Sequence, residues 1–146
     1  MSRVVVNEIE AKVGNDVSFN DTVKIDTLKG KTTAGSIDVT GEGNSTTTNL
    51  QQGLAKAWVL GGDDASLTDS FNIASGTDNG TGDYTYAIAN DMSNANFAGS
   101  VTGAGGGRRY GIQSSRTTGT FVVKLYDDNE SAADNPNCSK VHGDLA

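Results

Sequence analysis

The apolar residues of this chain come in short alternating runs, and clusters of Gly, Asn, Asp, Ser and Thr cut each run off after a few residues. Such punctuation leaves little room for helices, because these polar residues hydrogen-bond their own backbone and glycine adds conformational entropy. It suits strands joined by turns. Phe121-Val-Val-Lys-Leu-Tyr126 is the strongest strand signal, rich in β-branched and aromatic residues. Ala57-Trp58-Val59-Leu60, the alternation around Leu67, Asp69, Phe71 and Ile73, and Tyr84, Tyr86 and Ile88 predict further strands. Phe97 with Val101, Tyr110 with Ile112, and a short segment holding Val141 complete about seven. Turn clusters separate them at 76–82, 103–107 and 127–130. This pattern predicts an all-β sandwich or barrel over 54–146, with Trp58, Phe71, Tyr86, Ile88, Phe121, Val123 and Leu125 in its core.

The segment before residue 54 is different. It has one aromatic, Phe19, and a recurring apolar-polar pattern: Val17-Ser-Phe19-Asn, Val23-Lys-Ile25-Asp, Ile37-Asp-Val39-Thr. Strands this short cannot form a stable sheet alone. They are expected to form an intertwined trimeric β-stem, with Val17, Phe19, Val23, Ile25, Ile37 and Val39 facing a shared axis; a disordered arm is the alternative. The composition points the same way. Only 35% of the 146 residues are hydrophobic, and a chain short of apolar surface gains by burying it against other copies. Gly41–Asn49 reads as a linker or exposed turn, and Leu50 and Leu54 allow one helical turn before Gly53 limits it. The expected division is a stem and linker over 1–53 and a head over 54–146.

The net charge of −7 argues against nucleic acid, whose binding needs a concentrated basic face. No run is apolar enough to span a bilayer and the N-terminus has no signal-peptide pattern, so no membrane insertion and a cytoplasmic site of synthesis are expected. Asp78-Asn-Gly-Thr-Gly-Asp83 lacks the spacing of a calcium loop and reads as a hairpin turn around Asn79-Gly80. Gly103–Gly107 runs into Arg108-Arg109-Tyr110 rather than a helix, so it reads as a loop, not a phosphate cradle. Cys138 reads as a small inert hydrophobe and His142 lacks companions for a metal site or triad. No cofactor, metal or catalytic residue is expected. Binding, where present, is expected at the glycine loop with Arg108, Arg109 and Tyr110 and at a junction from Gln113 to Arg116, since Arg and Tyr dominate binding hot spots.

Several strings together are similar to a known family. Thr48-Asn-Leu-Gln-Gln-Gly-Leu-Ala-Lys-Ala-Trp58, Leu67-Thr-Asp-Ser-Phe-Asn-Ile-Ala-Ser75 and Thr77-Asp-Asn-Gly-Thr-Gly-Asp-Tyr-Thr85 resemble the head of fibre-like proteins of tailed bacteriophages, especially those of marine and cyanobacterial hosts. The ending Val141-His-Gly-Asp-Leu-Ala146 resembles that family's C-terminus. The resemblance implies a homotrimeric structural component of the virion, assembled in the host cytoplasm and without a catalytic centre. Its expected partners are other copies, proteins of the tail, baseplate or capsid, and a host-surface glycan or protein. It also suggests a jelly-roll-like head. A small depolymerase and a monomeric carbohydrate-binding module are the alternatives, separable by a turnover assay and by solution mass.

Overall fold

In the computed structural model, which describes residues 22–30, 37–40, 47–104 and 110–145, the chain is all-β apart from one helical turn. Two short strands, β1 (Asp38–Thr40) and β2 (Thr47–Asn49), pair antiparallel, and the turn α1 (Leu50–Gly53) follows. The Gly41–Asn49 linker expectation is thus corrected at its end, where Thr47–Asn49 pair as a strand. Two four-stranded antiparallel sheets come next. The first has the order β4 (Leu67–Phe71), β3 (Ala57–Gly61), β10 (Asn137–His142), β7 (Ala98–Gly103). The second has the order β5 (Ile73–Gly80), β6 (Asp83–Ile88), β9 (Thr120–Tyr126), β8 (Tyr110–Arg116).

The sheets pack face to face as a sandwich. The four inner strands β3, β10, β6 and β9 supply the core, and each alternates between buried and more exposed positions as period-two geometry requires. Ala57, Val59 and Val141 from the first sheet meet Tyr84, Tyr86, Ile88, Phe121, Val123 and Leu125 from the second, with Met92 and Phe97 filling one end. Tyr86, Ile88, Phe121, Val123 and Leu125 are buried as the sequence indicates; Trp58 and Phe71 are not, for a reason given below. The jelly-roll expectation is also corrected. A jelly roll wraps two Greek keys and pairs most strands with distant ones, whereas β3–β4, β5–β6 and β8–β9 are plain hairpins here.

The second hairpin turns two residues later than expected. Strand β5 runs on through Gly80, and the reversal falls on Thr81-Gly82; Gly80 (φ 123°), which enters it, and Gly82 (φ 65°) both take positive φ. At Gly82 a side chain would also strike the Leu125 carbonyl, 2.5 Å away.

Asn72 makes the corner at which the chain leaves the first sheet for the second. It holds φ at 56°, a conformation Asn tolerates better than other L-residues with a Cβ. Its amide donates to the Lys56 carbonyl (3.0 Å), and its side-chain oxygen accepts from the Asn90 backbone N–H (2.8 Å). Asn72→Ala loses these bonds and adds left-handed strain. We expect it to cost about 2–4 kcal/mol in urea unfolding, with Asn72→Gly recovering the backbone part.

Two tyrosine hydroxyls carry the polar groups of the core. The Tyr86 hydroxyl accepts from the Asn137 amide (2.8 Å), and Asn137 in turn accepts from Ser139 (3.1 Å). The Tyr84 hydroxyl accepts from the Asn135 backbone N–H and lies 2.9 Å from the Asp63 carbonyl and 3.2 Å from Asp134 Oδ1. Burial, with the Asp134 charge beside it, pushes the Tyr84 phenol from 10.0 up to about 12. The folded state therefore holds this proton more tightly than the unfolded chain does. Its contribution is intact below pH ~10 and is lost as pH rises toward 12, about 1.4 kcal/mol of it by pH 11. Urea titrations at pH 8 and pH 11 should show that loss, and Tyr84→Phe should reduce the difference. An equal loss in the variant would assign the alkaline sensitivity elsewhere.

Candidate functional site

The outward face of the first sheet carries apolar side chains that the core does not use. Its register sets them in two cross-strand rows. Phe71, Trp58, Lys140 and Ser100 lie abreast in one; Asp69, Leu60, Cys138 and Thr102 lie abreast in the other. Trp58 and Leu60 are each 37% exposed and Phe71 is 52% exposed. Trp58, Leu60, Cys138, Lys140, Ser100 and Thr102 line a groove of about 400 Å³.

Local irregularities place these residues. In β3 the small residues Ala57 and Gly61 turn inward with Val59, so Trp58 and Leu60 must turn out. Gly61 is obligatory there: a Cβ would lie 2.0 Å from the Tyr86 hydroxyl. A register shift beside Gly61 lets Leu67 pack on the core while Asp69 and Phe71 face outward. The left-handed Asn72 then returns Ile73 to the core. Trp58 and Phe71, expected inside, thus become an exposed aromatic pair on neighbouring strands. Cys138, expected to be a small inert hydrophobe, is an exposed free thiol in the same groove.

Of the residues expected to bind, Tyr110, Gln113 and Arg116 lie along one strand, β8. Arg108 and Arg109 lie outside the described residues. Tyr110 opens β8, exposed, and stacks on Tyr126 with ring centroids 5.2 Å apart. Gln113 and Arg116 sit in β8 rather than in a loop, and a bulge between Gln113 and Ser115 changes which way the later residues point. Gln113 packs its amide against Gly99, with both amide atoms buried and unpartnered. The Arg116 guanidinium donates to the Phe97 carbonyl (3.1 Å) and lies 5.8 Å above the Phe97 ring. These two residues brace the open edge between β7 and β8; of the three described, Tyr110 is left as an exposed contact surface.

On the outward face of the second sheet, Ile112 stands beside Lys124, which pairs with Asp83. That hydrogen bond holds the Asp83 carboxyl below its usual range and raises Lys124. Asp83 also accepts from Asn79, so the 78–83 turn is internally satisfied. Among the described residues, no three His, Cys, Asp or Glu side chains converge as a metal site would need. His142 lines a smaller hollow of about 260 Å³ with Asn94, Asn96, Phe97 and Asp144.

No family model, curated protein or solved structure matches the chain.

Proposed function

We propose that this protein is a non-enzymatic, trimeric structural component of a tailed-phage particle, a fibre or appendage whose N-terminal segment joins three chains and whose β-sandwich head faces outward. One observation carries the reading. The head closes on its own core, yet the apolar residues of the preceding segment do not: Val23 is 49% exposed, Ile25 58%, Leu28 57% and Val39 51% in the single chain. In isolation Val23–Asp26 forms no strand, contrary to the simple alternation, and Val39 belongs to a two-stranded pairing only, with Ile37 just outside it. Segments of this kind gain order from neighbouring chains, which supply the missing face. Val17 and Phe19 lie outside the described residues and are proposed as part of the same seam. The resemblance of most of residues 48–90 and the last six to phage fibre heads gives the assembly its proposed setting, the virion. The stretch leading into Tyr110 is proposed as one host-facing element, without Gln113 and Arg116.

Light scattering tests the reading. Three chains of 15.1 kDa should give about 45 kDa. A single-chain mass would favour the second reading, a monomeric carbohydrate-binding module, to which the Trp58 groove also points.

A further inference from the structure

We infer that the groove around Trp58 is a saccharide-binding site, with Trp58 as its stacking surface, Phe71 (abreast of Trp58 on the neighbouring strand, just outside the groove lining) extending that aromatic platform, and Ser100, Thr102 and Lys140 as the hydrogen-bonding rim. Exposing a Trp, a Leu and a Phe together on one sheet face is costly in a chain with only 35% hydrophobic residues. The two rows span four strands, about 14 Å by ~7 Å, or on the order of 100 Å². A stable protein partner needs about 800 Å² on each side, so this patch is too small to hold a macromolecule by itself. Its volume of about 400 Å³ falls within the roughly 300–1,000 Å³ of small-molecule sites.

The lining also selects the chemistry. An aromatic and an aliphatic surface, Trp58 and Leu60, lie beside two hydroxyls and an ammonium that has no ion pair among the described residues. A pyranose ring presents the complement, a flat C–H face bounded by equatorial hydroxyls. Aromatic rings supply rigid contact area at low entropic cost, and Ser, Thr and Lys can each donate to sugar oxygens. This names the ligand class for the host-facing head and rests on the attachment reading only for its biological setting.

The chain contains one Trp and one Cys, and both line this groove, so each reports on it without labelling elsewhere. The full-length protein is titrated with cellotetraose, chitotetraose and tetragalacturonate while Trp58 emission and the rate of maleimide addition to Cys138 are followed. At least one sugar should shift the emission saturably and slow thiol labelling severalfold at saturation. Phe71→Ala, a change at a half-exposed position, should weaken that affinity about tenfold with the melting temperature little changed; tenfold corresponds to about 1.4 kcal/mol. If no sugar moves either signal, or if Phe71→Ala binds as tightly as the parent, the assignment is overturned. A Cys138 already shielded in the sugar-free protein overturns it too, because a second copy would then cover the groove. Solution mass is read on the same samples, so failure of the sugar site and failure of the trimer remain separate results.

Discussion

Phe121→Ala should be the most damaging single substitution in the head, lowering stability by about 3–5 kcal/mol. Phe121 is fully buried, on one of the two central strands of its sheet. It sits directly across from Tyr86, with ring centroids 5.5 Å apart and the planes tilted by 41°, a geometry that adds aromatic attraction to simple burial. Truncation removes the ring from between the sheets, and the surrounding strands are held by ladders on both sides, so the cavity cannot close easily. Scanning calorimetry should show a fall in melting temperature on the order of 10 °C. The neighbouring Val122 projects from the opposite face of the same strand and is only partly buried, so Val122→Ala should cost about 1 kcal/mol or less. Equal losses for the two would mean that β9 does not present alternate residues to the core.

The contrast between β9 and β3 explains how much of the fold could be read beforehand. In β9 the alternation runs Phe121, Val123, Leu125 against Thr120, Lys124 and Tyr126, and a polar residue marks the outer face. In Ala57-Trp58-Val59-Leu60 every residue is apolar. A one-residue change of register exchanges the two faces of a strand, and nothing local in this run tells which set turns inward. The answer comes from tertiary packing: only Ala57, Val59 and Gly61 leave room for Tyr86 and its neighbours. Assigning the largest residues to the core therefore hid the groove, and Phe71 followed Trp58 because the bulge and the left-handed Asn72 break the alternation from Leu67 to Ile73. In β8 Gln113 follows the regular alternation with Gly111, and a bulge after it redirects the strand before Arg116, so both become braces. Bulges leave no compositional mark. The reversal at Thr81-Gly82 was legible to within two residues, because Gly80 and Gly82 are required there by backbone angle. The strand order was not legible, since antiparallel hairpins of similar composition can be arranged in several ways.

If the chain is the trimer proposed above, replacing Val23 and Ile25 together with Asp should dissociate it. Each side chain stands about half exposed in the single chain, at 49% and 58%. Association can therefore still recover about half of the roughly 1.5–3 kcal/mol that full burial of such a residue is worth. Summed over both residues in three chains, that comes to roughly 5–9 kcal/mol. The variant forfeits this gain and also gathers like charges at a closed seam, where an unpaired carboxylate costs several kcal/mol more. Neither residue belongs to the head's core cluster, so the head should melt as it does in the parent while the mass falls from about 45 kDa to the single-chain 15.1 kDa. Light scattering and calorimetry on the same sample distinguish this from general unfolding. A double variant that keeps the trimer's mass would remove Val23 and Ile25 from the interface and place the contact between chains on the head.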